Sequence, residues 1–268
     1  MRWNTFQISA NVSIMFTELP YAQRFEAARQ AGFTRVESWW PFAEPDPGQQ
    51  EVNEFLSWIK TAGVELTGLN FYAGDMPGGE RGIACRPERA DELAASTQVL
   101  LAIAEATGCR SFNLLYGQLD PDQDELIQRE VALEAYRGAA HKVASIGGTV
   151  LVEPLAHGLN GAYPLTTHRE VLELIDQVGH QEHLALLVDT FHLGHNGIDP
   201  AAAITESRGR FAHVQLADAP GRGEPGSGTL DFEAIGVALT QVGYTGTVAA
   251  EYKPTVAAAQ TLGWLTRS

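Results

Sequence analysis

The chain has 268 residues, 44% of them hydrophobic, and a formal net charge of −15. That length is close to the ~250 residues of one eight-fold strand–helix barrel, and so acidic a surface repels phosphate backbones, which argues against nucleic acid as a partner. No run of ~18 apolar residues reads as a membrane span, the start Met1-Arg2-Trp3-Asn4-Thr5-Phe6 lacks the regions of a secretion signal, and Cys85 and Cys109 make no disulfide framework. The expectation is a soluble, cytoplasmic protein.

Gln7–Asn11 opens a series of strand-like runs. Tyr21–Ala31 follows as a helical segment carrying Phe25 and Ala28, and it stops at Gly32, a C-cap residue. Arg35–Trp39 and Glu65–Phe71 read as the next two strands. Glu88–Thr107 then sets Leu93, Val99, Leu100 and Ile103 on one stripe and stops at Gly108. Ser111–Tyr116 is the fourth strand, Gln123–Ser145 a helix, and Thr149–Pro154 the fifth strand. Thr167–Val178 starts at a Thr-Thr cap and stops at Gly179. In Leu184–Asp189 the apolar stretch Ala185–Val188 suits a strand buried on both faces of a parallel sheet. Phe211–Leu216, a helix over Asp231–Val242 and a last strand over Thr247–Glu251 complete the order.

This alternation predicts an α/β fold, a single (β/α)8 TIM barrel occupying residues 1–268 as one domain. A doubly wound open sheet would place a Gly-rich loop after its first strand, whereas here that strand runs into Ala10-Asn11-Val12-Ser13. Two long Gly/Pro-rich segments, Ala73–Pro87 and Asp218–Thr229, follow strands and so belong at the C-terminal rim, where they are candidates for substrate contact and closure.

Four of the later runs each end in a potential metal ligand: Glu153, Asp189, Gln215 and Glu251. If they are barrel strands, three carboxylates and an amide oxygen project at one rim. Clustered anions need a cation to offset their repulsion, and an oxygen-dominated set points to Mg²⁺ or Mn²⁺ rather than zinc. His192, just past Asp189, is near enough to touch a substrate, and is one of the cations that could meet its carboxylate, or is simply an outer histidine. Arg222 and Lys253 either neutralise a substrate carboxylate, with Arg222 the first choice because a guanidinium grips a carboxylate bidentately, or pair with the surrounding acids. Arg81 is a further substrate candidate, or a surface partner of Glu80. His213 reads as a hydrogen-bonded core histidine, and Glu37 as support from across the barrel. Trp39, Trp40, Phe71 and Tyr72 are candidates for the pocket wall. A metal bridging a carbonyl and an adjacent hydroxyl acidifies the C–H between them, and Glu153 and Glu251 flanking that carbon can take and return its proton. The chemistry expected is enediolate-mediated isomerisation or epimerisation of a small hydroxy-carbonyl compound.

These residues resemble the hydroxypyruvate isomerase family, within the xylose-isomerase-like barrels. The resemblance runs end to end, through Ile8-Ser9-Ala10-Asn11-Val12-Ser13, Gly79-Glu80-Arg81-Gly82-Ile83-Ala84, Val152-Glu153-Pro154, Val188-Asp189-Thr190-Phe191-His192, Arg222-Gly223-Glu224-Pro225-Gly226-Ser227-Gly228 and Glu251-Tyr252-Lys253-Pro254. It implies interconversion of hydroxypyruvate and tartronate semialdehyde, with Glu153 and Glu251 as the catalytic pair. Related ketose epimerases bind metal through Glu, Asp, His and Glu; Gln215 at the third position matches the isomerase branch. Close relatives isomerise 2-oxo-tetronates, so three- and four-carbon hydroxy-oxo acids both stay open as substrates, as does a homo-oligomer. Two other readings are a non-catalytic binding protein and a DNA-repair nuclease. Nucleases of this superfamily draw histidines from early strands, whereas all eight histidines here lie after residue 140.

Overall fold

A computed structural model describes residues 3–179 and 182–266. Eight strands, β1 (Gln7–Asn11), β2 (Arg35–Ser38), β3 (Glu65–Asn70), β4 (Ser111–Asn113), β5 (Thr149–Val152), β6 (Leu184–Asp189), β7 (Phe211–Leu216) and β8 (Thr247–Ala250), pair in parallel and in chain order. β8 returns to β1 and closes the barrel. Eight α-helices accompany them: α1 (Tyr21–Gln30), α2 (Gln49–Ala62), α3 (Ala90–Thr107), α4 (Glu125–Ala144), α5 (His168–Val178), α6 (Thr190–His195), α7 (Pro200–Glu206) and α8 (Phe232–Gln241). The expected (β/α)8 barrel is the fold observed.

Side-chain alternation along each strand divides the molecule into two layers. Val150, Val152, Leu186, Val188, Val214, Leu216 and Val248 are fully buried and join Phe25, Leu100, Tyr136, Ile175, Ile204 and Leu239 of the helices in one apolar layer. The opposite parity faces the barrel interior, and there the buried residues are mostly polar: Ser9, Asn11, Glu37, Asn70, Asn113, Asp189, His213 and Gln215. Register sets Asn11 level with Glu37, Asn70 with Asn113, and Asp189 with Gln215.

Local chemistry explains where the elements stop. Thr167 and Glu170 form a capping box at α5, and Asp124, Asp199 and Asp231 accept backbone N–H groups at the starts of α4, α7 and α8. Gly63 and Gly108 end α2 and α3 in the left-handed conformation. β5 stops two residues and β8 one residue short of the expected ends, so Glu153 and Glu251 lie just beyond the ladder, at the rim. Helices α2, α6 and α7 have no counterpart in the expected set. α6 and α7 span only 6 and 7 residues, too short to show a period. α2 does carry a signal, since its buried residues Val52, Phe55, Ile59 and Ala62 have helical spacing.

The two long rim loops are tied down. Asp218 is buried and accepts four backbone N–H groups, from Ala219, Gly226, Gly228 and Leu230, which folds segment 218–229 around one carboxylate. In the other loop Gly82 bridges to Tyr116, and its N–H donates to the carbonyl of Ala73 at 2.9 Å. Gly82 has φ +101°, and a Cβ there would collide with the carbonyl of Leu115. Gly82→Ala therefore combines backbone strain with a clash. It should lower stability by roughly 2 kcal/mol or more, read as a shift in denaturation midpoint; an unchanged midpoint would show that the loop yields without cost.

Candidate active site

The rim at the C-terminal ends of the strands gathers the acids. Glu153, Asp189 and Glu251 are all buried. Asp189 ends β6 and caps α6: its Oδ1 accepts the N–H groups of Phe191 at 2.7 Å and His192 at 3.1 Å. Glu153 Oε2 accepts from Asn113 Nδ2 at 2.7 Å, while its Oε1 is buried with no protein partner. Glu251 Oε2 accepts from Asn11 Nδ2 at 2.6 Å, and its Oε1 from Arg222 Nη2 at 2.8 Å. Gln215 donates Nε2 to Glu37 Oε1 at 2.8 Å, which leaves its own Oε1 buried and unpartnered.

Glu37 works from the far side of the barrel. Its Oε2 meets His213 Nε2 at 2.6 Å, and its Oε1 takes Asn11 Nδ2 at 3.1 Å besides Gln215. Asn11 thus bridges Glu37 and Glu251, and its own Oδ1 is held by the N–H of Ser13.

Among the described residues, the ligating atoms of Glu153, Asp189 and His192 lie within 4.8 Å of one another and form a possible metal group. Glu251 is outside that group, its carboxylate drawn to Asn11 and Arg222. In this arrangement His192 is a donor toward the site. Its Nδ1 accepts the N–H of Ala156 at 2.9 Å, so the neutral ring carries its proton on Nε2. Nε2 in turn faces Glu153 Oε1 at 3.6 Å and Asp189 Oδ2 at 3.8 Å. Burial, reinforced by Arg222, pulls the His192 imidazole well below its ordinary range. His192 is therefore neutral and cannot serve as a cation for an anionic substrate.

The cations lie on loops. Arg222 reaches Asp189 Oδ2 at 3.4 Å as well as Glu251, and its guanidinium lies 5.3 Å from the Phe191 ring centre. Of the two roles open to Arg222, pairing with the acids is the one seen. Arg81 does not pair with the Glu80 carboxylate, which binds Arg89 at 2.8 Å. It donates instead to the carbonyls of Met76 and Glu80 and to Asn160 Oδ1. Lys253 is exposed at the mouth. Arg81, Lys253, Arg222, Glu153, His192 and Glu251 all border one cavity of about 1030 Å³. Trp39, Trp40, Phe42 and Tyr72 form its aromatic wall, and Phe71 does not: it is buried beside Phe112. The sequence reading missed Asn11 and Asn113 as the amide donors to Glu251 and Glu153. Their one signal is position, each being the last residue of its strand and of inward parity.

A family model described as xylose isomerase-like TIM barrel matches residues 25–268. A Streptomyces coelicolor protein named "Putative hydroxypyruvate isomerase" is 40% identical over 265 residues, 97% of this chain and 95% of its own length. The Escherichia coli hydroxypyruvate isomerase is 31% identical, over 97% of this chain and 98% of its own. Proteins named 2-oxo-tetronate isomerase match at 29% in Pectobacterium atrosepticum and 30% in Haemophilus influenzae, each over 96% of this chain. A Brucella melitensis crystal structure described as an AP endonuclease, family 2, superposes with a TM-score of 0.88 at 31% identity, covering 98% of each chain.

Crowding these acids perturbs their protonation. Burial, with the Asp189 charge next, pushes the Glu153 carboxyl up to about 8. Burial likewise raises Asp189 and Glu251, against the pull of Arg222. Glu37 goes the other way: burial opposes its charge, but His213, Gln215 and Asn11 outweigh it and hold the carboxyl low. An unfolded glutamate titrates near ~4.3. Between there and pH 8 the folded protein keeps a proton on Glu153 that the unfolded chain has released, so stability falls as pH rises through that window. In chelator, the melting temperature should drop from pH 5 to pH 8, and Glu153→Gln should flatten part of the drop. Parallel profiles for the two proteins would show that Glu153 is ionised throughout.

Proposed function

This chain belongs to the xylose isomerase-like TIM barrel family, and we propose that its residues 1–268 act as one domain, an aldose–ketose isomerase of a small hydroxy-oxo acid, converting hydroxypyruvate to tartronate semialdehyde. The observation that carries this reading is the pair of buried glutamates, Glu153 and Glu251, opening on one cavity beside Asp189 and a neutral His192. The relatives named hydroxypyruvate isomerase, which align over nearly their full length, support the choice of substrate.

The donor set suits a divalent cation. Glu153 Oε1 and Gln215 Oε1 are buried oxygen acceptors without a protein partner, and hard oxygen donors of this kind favour Mg²⁺ or Mn²⁺. Glu153, Asp189, Gln215 and Glu251 would hold it, and when bound it would polarise the substrate carbonyl. The chain's own residues do the rest. One glutamate takes the proton from C3 of hydroxypyruvate, and the electron pair left behind forms a C2–C3 double bond. The other glutamate returns a proton to C2. O3 gives up its proton as O2 gains one, so the C3 alcohol becomes an aldehyde and the C2 ketone an alcohol. His192, with Nε2–H fixed by the Ala156 amide, donates to a substrate oxygen. Arg81 and Lys253, which border the cavity that Glu153 and Glu251 also line, meet the substrate carboxylate.

A second substrate, 2-oxo-tetronate, is favoured by the relatives of that name and by a cavity with room for a fourth carbon. The same reading puts the protein in the cytoplasm, acting on a small molecule and not on nucleic acid. Its support is the −15 charge and two buried, unpaired cysteines; no described helix is long and apolar enough to cross a membrane.

The purified protein, supplied with Mn²⁺, should convert hydroxypyruvate in an aldose–ketose assay against a panel of three- and four-carbon hydroxy-oxo acids; failure on every member would refute the activity. Glu153→Gln and Glu251→Gln should each lower kcat by roughly 10²–10⁴-fold. Near-full turnover in either variant would remove that residue from the mechanism. Arg81→Ala should raise KM for hydroxypyruvate by about tenfold or more, with little effect on uncharged dihydroxyacetone. Equal losses on both substrates would mean that Arg81 only holds its loop.

A further inference from the structure

Arg222 stands where the acids most need positive charge. Its Nη2 lies 2.8 Å from Glu251 Oε1 and 3.4 Å from Asp189 Oδ2, so one guanidinium nitrogen serves carboxylates from the ends of β6 and β8. These are two of the carboxylates that the proposed metal would use. The other contacts to the acids come from fixed neutral donors, the amides of Asn11 and Asn113 and the backbone at the start of α6.

Arg222 is held differently from those donors. Its backbone is anchored: φ is +57°, and its carbonyl accepts the N–H of Lys253 at 2.7 Å. The side chain is not anchored in the same way, because Nε is buried without a partner. A guanidinium with an unused donor is incompletely satisfied where it lies. The side chain is 17% exposed and borders the cavity, so there is open space beside it into which the charge could turn with the loop unmoved.

We infer that Arg222 is an exchangeable counter-ion, which neutralises Asp189 and Glu251 until a divalent cation takes those oxygens and is then displaced into the cavity. This rests on the metal-assisted reading above and adds an order to it. Three carboxylates, a divalent cation and a guanidinium sum to zero, so the displaced Arg222 is free to meet an anionic substrate, Nε and both Nη included. Metal binding therefore prepares the cavity for the substrate carboxylate.

The inference has an unusual sign. A residue that orders metal ligands weakens metal binding when it is removed, whereas removing a competitor strengthens it. The test is calorimetric titration with Mn²⁺, without substrate, on the parent protein, Arg222→Met, Arg222→Lys and Lys253→Gln. Methionine keeps the stem against Phe191 and offers a hard cation only a soft sulfur. Arg222→Met should bind Mn²⁺ roughly tenfold more tightly than the parent, on the scale of a unit charge removed a few ångströms away. Arg222→Lys, which keeps the charge, should stay close to the parent. Lys253→Gln removes a charge at the exposed mouth and should change affinity little. Added Mn²⁺ should also raise the melting temperature more in Arg222→Met than in the parent. If Arg222→Met fails to fold, Arg222→Gln carries the same expectation. Equal or weaker binding after loss of Arg222, or an equal gain in Lys253→Gln, would overturn the inference and leave the metal reading standing. Absence of Mn²⁺ binding in the parent would overturn both.

Discussion

Three carboxylates buried at one rim are the constraint from which the rest of this site follows. Glu153, Asp189 and Glu251 are 4%, 0% and 3% exposed, and an ionised acid so far from water needs close donors or positive charge. The barrel supplies donors one by one: Asn113 to Glu153, the first amides of α6 to Asp189, Asn11 to Glu251. All of these are neutral. They lower the cost of ionisation without removing the repulsion among the acids, which is why Arg222 is drawn in and why burial still raises all three carboxyls.

Closure of the barrel makes such a cluster possible. Asn11 and Glu251 are 240 residues apart in sequence and hydrogen-bonded because β8 pairs with β1. Gln215 reaches Glu37 across 178 residues in the same interior. The strands satisfy their own backbone around the ring, and the apolar layer between sheet and helices supplies the hydrophobic burial. The interior can then be polar without weakening the layer that stabilises the fold. This division of labour is what a (β/α)8 barrel offers a site of many charges.

Much of this was legible in the chain because strands and acids are written locally. Apolar runs of four to six residues, each closing on Glu, Asp or Gln, place those side chains at one rim once the strands are parallel. What was not legible depends on contacts between distant segments. The partner of Glu80 is Arg89, nine residues on, and not the adjacent Arg81, whose guanidinium donates to backbone carbonyls and Asn160 instead. The tautomer of His192 is set by the amide of Ala156, 36 residues earlier, and no spacing rule reports such a contact. Arg222 reads equally well from sequence as a substrate clamp or as a counter-ion, because both need only a guanidinium near the rim. The unpartnered Nε and the contacts to Asp189 and Glu251 are what separate those roles in space.

Acids and cations also differ in what carries them. Glu153, Asp189 and Glu251 stand at or just past strand ends and Glu37 one residue before one, so their positions are fixed by the sheet. Arg81 and Arg222 come from the two long rim loops, and Lys253 from the segment after β8. Negative charge is thus built into the scaffold, while positive charge is delivered by side chains carried on loops. A fixed anionic rim can hold a cation and exchange protons in a constant geometry. The cations that would greet a substrate carboxylate can be altered, one loop at a time, without disturbing that rim. This offers a physical reason why one strand-end chemistry can serve three- and four-carbon acids on the same barrel.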